Sequence, residues 1–144
     1  MFKSISKFVW ATTLDLIMGY YHIRLNYSAQ DKCTIILPWG KYCYNALPIG
    51  FVGSRDIFQH TLGSLFLDLP HILVYLDNII VIRNETFEEH MQQLGEVLGR
   101  LSKSGFQIHP EKSHWATSQA EYLGFLISQE GIQPQPKKIQ GIKI

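Results

Sequence analysis

Three polar residues set inside apolar runs are where this chain could do chemistry. Asp15 lies in Trp10-Ala-Thr-Thr-Leu-Asp-Leu16, and Asp77 and Asn78 interrupt His71-Ile-Leu-Val-Tyr-Leu-Asp-Asn-Ile-Ile-Val-Ile82. A carboxylate flanked by β-branched and aliphatic residues is expensive to bury without a partner, and strand interiors rarely hold one. Two such places suggest one shared cation.

The elements that must position them can be read from residue spacing. Residues 8 to 16 read as a strand, Gly19 to His22 as a turn, and Ile23 to Tyr27 as a short extended run. Residues 33 to 37 and 41 to 47 read as two strands joined at Pro38-Trp-Gly. Ser54 is expected to cap a helix running to about Phe66, with Ile57, Phe58, Thr61, Leu62 and Leu65 on its apolar stripe. The run from Ile72 to Ile82 predicts a hairpin with Asp77 and Asn78 at its tip, since both residues tolerate tight turns. Thr86 and Glu89 form a capping box for a second helix. Its face is drawn from Phe87, Met91, Leu94, Leu98 and Leu101, and Gly105 ends it. Phe106 to His109 is a short strand, Ala120 to Ser128 another before a turn at Gly131, and Pro134 and Pro136 mark a boundary. Two helices on one face of an antiparallel sheet make the expected fold α+β.

Composition bounds the partners. At 144 residues with 46% hydrophobic and 17% charged residues, the chain is long enough for one packed domain and too apolar for disorder, with sticky faces expected. A net charge of +1 argues neither for nor against nucleic acid, because clustering decides that, and the only basic doublet is Lys137-Lys138. Cys33 and Cys43 flank the Pro38 turn out of register, with Cys43 expected opposite a residue near Ile36, so a disulfide is disfavoured. No apolar run reaches the roughly 18 residues of a membrane span. The opening Met-Phe-Lys-Ser-Ile-Ser-Lys has no clear secretory core, so an intracellular location, cytoplasm or nucleus, and no membrane partner are expected. The six histidines, at 22, 60, 71, 90, 109 and 114, lack metal-ligand spacing with cysteine and read as scattered surface residues.

Six segments carry a resemblance. Leu14-Asp-Leu-Ile-Met-Gly-Tyr-Tyr-His-Ile-Arg-Leu25, Pro38-Trp-Gly-Lys-Tyr42, Tyr44-Asn-Ala-Leu-Pro-Ile-Gly-Phe51, Ile57-Phe-Gln59, Val74-Tyr-Leu-Asp-Asn-Ile79 and Glu121-Tyr-Leu-Gly-Phe-Leu-Ile127 stand in this order along nearly the whole chain. Their order and spacing resemble those of reverse transcriptases from gypsy-type LTR retrotransposons. The resemblance implies a polymerase palm over about 8–25 and 54–130 with a partial fingers hairpin over about 26–53, all within a single domain spanning 1–144. Phosphoryl transfer depends on metal ions bridging the attacking hydroxyl and the triphosphate. Asp15 and Asp77 match the two main metal-binding positions, with Mg2+, or Mn2+, as the implied cofactor.

Other positions follow from the same motifs. Tyr20 matches the aromatic that packs under the incoming sugar and rejects a 2′-hydroxyl, and Tyr21 is its weaker neighbour; an aromatic beside Gly19 is otherwise a core residue. Ile49 stands in the loop that lines the nucleotide pocket, and Gln59 at a position near the template, where the plain alternative is a solvated helix residue. Leu123 and Gly124 resemble the primer grip, or else an ordinary buried strand. Three departures stand out: Val52 where lysine is common, and Arg55 and Asp56 where proline and a small residue are usual. A fourth bears directly on chemistry. The family carries a second aspartate after the first, and here Asn78 removes one negative charge and one ligand oxygen.

Two functions therefore stand open. One is an RNA-directed DNA polymerase acting on an RNA or DNA primer-template with dNTP, and impaired by Asn78. The family's upstream fingers strands, thumb, connection and RNase H regions also fall outside these 144 residues, which is expected to weaken it further. The other is a non-catalytic module that self-associates into homo-oligomers or filaments through uncovered sheet edges.

Overall fold

The computed structural model describes residues 8–83 and 86–135, which form nine strands and three α-helices. Strand β1 (Trp10–Asp15) is central. It pairs antiparallel with β5 (Asn78–Arg83) on one side and with β6 (His114–Thr117) on the other. Strand β4 (Ile72–Tyr75) extends the sheet beyond β5, giving the order β4-β5-β1-β6. The register of β1 with β5 is unbroken from Trp10 opposite Arg83 to Asp15 opposite Asn78. Side chains alternate along each strand, so Thr12, Leu14, Ile79 and Val81 share one face, while Ala11, Thr13, Asp15, Asn78 and Ile80 share the other.

The first face is closed by helices, as the sequence implied. Leu14, Ile79 and Val81 pack with Phe58 and Leu62 of α2 (Ser54–Ser64) and with Leu94, Val97 and Leu101 of α3 (Phe87–Lys103). Details of both helices differ from expectation. Gly53, at φ 83° and without a side-chain bond, occupies the N-cap of α2, and Ser54 is instead a buried first-turn residue. The buried positions of α2 are Ser54, Phe58 and Leu62, a four-residue step, so Ile57 turns outward. Helix α3 starts with the expected box, in which the Glu89 N–H donates to Thr86 Oγ1 and the Thr86 N–H to the Glu89 carboxylate. Its buried face is His90, Gln93, Leu94, Val97 and Leu101, rotated from the expected one, and Phe87 and Met91 are exposed.

That rotation brings His90 into the core, a correction to its reading as a surface histidine. Its Nε2 lies 2.8 Å from the hydroxyl of buried Thr12, which also accepts the Ala116 N–H. Burial first, and the charge of Arg83 second, push the imidazole pKa down.

The second face is covered at one end by a separate antiparallel sheet of β7 (Gln119–Tyr122), β8 (Phe125–Ser128) and β9 (Gly131–Pro134). Ala120, Tyr122 and Ile127 pack there on Phe8, Ala11 and Ile80. The single strand expected over Ala120 to Ser128 is thus a hairpin, turned at Leu123 (φ 52°) and Gly124 (φ 81°). Pro134 lies in β9 rather than at a boundary; Pro136, the Lys137-Lys138 doublet and the opening residues 1–7 lie outside the described residues.

A two-stranded sheet of β2 (Thr34–Leu37) and β3 (Gly40–Cys43) completes the chain. Cys43 pairs with Thr34, not with a residue near Ile36, and both cysteines are free. Helix α1 (Tyr27–Lys32) follows the expected extended run and overlaps it only at Tyr27; it begins at Asn26, whose side chain accepts the Ala29 N–H at 2.9 Å. The expected strand Phe106 to His109 contributes only an isolated bridge, Ile108 to Leu16. Among the described residues no helix is long and apolar enough to cross a membrane.

Candidate active site

The loop between β4 and β5 consists of Leu76 and Asp77, because Tyr75 pairs with Asn78. The tip therefore sits one residue earlier than expected, and Asn78 is the first residue of β5, directly opposite Asp15. Leu76 takes the left-handed conformation, φ 51°, which a residue with a Cβ enters only at a cost.

Backbone contacts fix both carboxylate-bearing segments at this end of the sheet. The Leu16 N–H donates to the Asp77 carbonyl at 3.0 Å, tying the loop to the end of β1. The Asp15 N–H donates to Ser113 Oγ at 3.2 Å, its carbonyl accepts the His109 N–H at 2.7 Å, and the Ser113 hydroxyl donates to the His109 carbonyl at 2.8 Å. Asp15, Asp77 and Asn78 are all half-buried. The Asn78 amide donates to Asp77 Oδ1 at 3.2 Å. Asp15 and Asn78 face away from the helices, on the side where the β7–β8 hairpin packs.

Two carboxylates and an amide oxygen suit a hard divalent cation that completes its coordination with phosphate and water. No group of three or more His, Cys, Asp or Glu is arranged to hold a metal among the described residues.

The remaining positions separate into groups. Gly19 to His22 form a single 3-10 turn, and the Tyr20 ring stacks on Phe58 with centroids 4.4 Å apart at 17°. Tyr20 and Ile49 share the wall of a cavity of about 420 Å³ with Gly50, Phe51, Gly53, Arg55 and Asp56. Tyr21 is exposed and is not among those lining residues. Leu123 packs on the cluster around Ile80, and the Gly124 carbonyl accepts the Gln135 N–H. Gln59 is half-buried and does not line the cavity: both ends of its amide are held by the backbone around Leu76. Ser113 and the left-handed Leu76 carried no sequence signal, because a serine in a polar connection and a leucine in an apolar run are unremarkable there.

A family model for reverse transcriptase (RNA-dependent DNA polymerase) matches residues 2–127. The chain belongs to the reverse transcriptase family. It is 35% identical to the retrovirus-related Pol polyprotein from transposon opus of Drosophila melanogaster, over 96% of this chain and 14% of that protein. The corresponding protein from transposon gypsy of the same organism is 30% identical over 97% of the chain and 14% of its own length. These relatives make it a reverse transcriptase-like domain of the gypsy type. Among solved structures, the foamy viral protease-reverse transcriptase in complex with an RNA/DNA hybrid superposes with a TM-score of 0.86 at 26% identity, over 98% of this chain and 20% of that one. The same enzyme with double-stranded DNA gives 0.85. This reverse transcriptase domain thus spans a small part of the length of its relatives.

Proposed function

We propose that this domain is the palm, with part of the fingers, of a retroelement RNA-directed DNA polymerase whose metal site is weakened by Asn78. One observation carries the reading. The residue opposite Asp15 in the register, where the family pattern continues with a second aspartate, is an amide that donates to the Asp77 carboxylate. An amide has one oxygen and no charge to offer a cation, and its N–H₂ occupies a lone pair of the neighbouring ligand.

Asp15 and Asp77 are the residues that would hold Mg2+ or Mn2+, which when bound would neutralise triphosphate charge and activate the primer 3′-hydroxyl. Tyr20, held flat on Phe58, would form the floor under the incoming dNTP sugar, with Ile49 beside it. Tyr21 would contribute from the exposed flank, Gln59 from behind the hairpin, and the Leu123-Gly124 turn would steady the primer end. The partners are an RNA or DNA primer-template, in keeping with the nucleic acids bound by the foamy viral relative. An intracellular setting fits the two free thiols.

The substitution Asn78→Asp tests this. Titrated with Mn2+ and followed by paramagnetic broadening of the Asp15 and Asp77 amides, the variant should bind at least about 10- to 100-fold more tightly than the natural chain. Primer extension should rise with it. Equal Mn2+ affinity in the two proteins overturns the reading, whatever the extension assay returns.

A second reading is a self-associating, non-catalytic module. Ile36 in β2 and Trp39 in the turn between β2 and β3 are 82% and 73% exposed, and all four residues of β9 are exposed at a sheet edge. Sedimentation velocity measures it directly.

A further inference from the structure

Strand β4 is the edge of the central sheet, so its backbone groups on the side away from β5 have no ladder partner. Val74 presents one of these, its carbonyl, and the N–H of Leu76, the first loop residue, follows two residues on. Both are taken by one side chain. Gln59 Nε2 donates to the Val74 carbonyl at 3.0 Å, and the Leu76 N–H donates to Gln59 Oε1 at 2.7 Å. A primary amide carries the donor and acceptor that a peptide group of a neighbouring strand would supply, so Gln59 stands in for a fifth strand at that point.

The location gives the contact its consequence. Leu76 is the left-handed residue of the loop, and conformations of that kind persist where their surroundings over-determine them. Gln59 follows Phe58, which is fully buried under the sheet, so the amide is presented from an anchored part of α2. Leu76 precedes Asp77, and the Asp77 carbonyl is bonded to the Leu16 N–H at the end of β1.

We propose that Gln59 is a positioning residue: by pinning Leu76 in its left-handed conformation it sets the direction of Asp77 toward Asp15. The assignment rests on the cation site proposed above for its catalytic meaning, while the clamp is measurable without any cation. Gln59 acts through the loop and touches neither carboxylate.

Amide hydrogen exchange on the full chain tests it, comparing the natural protein with Gln59→Leu and Gln59→Glu. The Leu76 amide reads the clamp, the Leu16 amide reads Asp77, and the Val97 amide in α3 reads global stability. In Gln59→Leu, Leu76 and Leu16 should exchange about 10-fold faster relative to Val97, as expected for the loss of a half-buried hydrogen bond to the Leu76 amide. Gln59→Glu keeps the acceptor and should leave Leu76 protected; should Gln59→Leu fail to fold, this variant and the natural chain still decide. A uniform acceleration of all three amides, Leu76 unprotected in the natural chain, or Leu76 responding without Leu16, each overturns the proposal. An absence of Mn2+ broadening at Asp15 and Asp77 in the natural chain overturns the cation site instead, and leaves the exchange result standing.

Discussion

Gly19 shows how narrowly the ring that resembles a sugar floor is held. A Cβ built there would lie 2.6 Å from Phe58 Cζ and 2.9 Å from Cε2, and Phe58 is fully buried, so the ring has nowhere to retreat. The Tyr20 ring lies on the same phenyl. The close approach, not backbone freedom, is what requires glycine. Gly19→Ala should therefore lower unfolding free energy by about 1–3 kcal/mol, the usual cost of overpacking a core. It should also displace Tyr20, visible as a change in its ring chemical shifts. A neutral urea midpoint with an unmoved Tyr20 resonance would show that Phe58 yields easily, and that the stack does not depend on the glycine.

Helix α3 is tied to β1 by the buried His90–Thr12 bond, and this gives the fold a pH dependence with a definite sign. The imidazole pKa is lowered in the folded chain, by burial first, from the ordinary value near 6.5. Above that value the residue is neutral in both states and stability is complete. As pH falls through it, the unfolded chain takes up the proton first and stability drops, at no more than about 1.4 kcal/mol per pH unit for one group. Denaturation midpoints from pH 8 to 5 should show this slope, and His90→Gln should flatten it. A slope unchanged in that variant would assign the titration elsewhere. The same residue marks what the sequence hid. The capping box at Thr86 and Glu89 made α3 legible, yet its apolar positions pointed to a face containing Phe87 and Met91, because a histidine scores as polar until its Thr12 partner is known. The hairpins divide likewise. A continuous apolar run broken at Asp77 and Asn78 made β4 and β5 plain, and the ordered motifs led to Asp15 and Asp77. Turns at Leu76 and Leu123, both with positive φ, look like strand interiors because leucine is a poor residue for that conformation and tertiary contacts impose it. Strand β6 follows a polar connection and is set by pairing with β1, which no local pattern encodes.

At the scale of the whole molecule, the edges of the two larger sheets are treated differently. The outer side of β4 is satisfied near the hairpin by Gln59, which removes a template for pairing with another chain. Strand β9 pairs only with β8 among the described residues and is exposed along its length. The small β2–β3 hairpin carries Ile36 and, in its turn, Trp39 outward, with Tyr42 also exposed. With a net charge of +1 there is little long-range repulsion to keep copies apart. If these surfaces drive association, the sedimentation coefficient of the natural chain should rise with concentration. The double variant Ile36→Lys and Trp39→Ser should sediment as a monomer across the same range, with its urea midpoint nearly unchanged, because exposed side chains lend little to folding. A rise that persists in the double variant would move the contact to the β9 edge. A natural chain that stays monomeric throughout would remove the self-associating module from consideration and leave the weakened polymerase site as the function to explain.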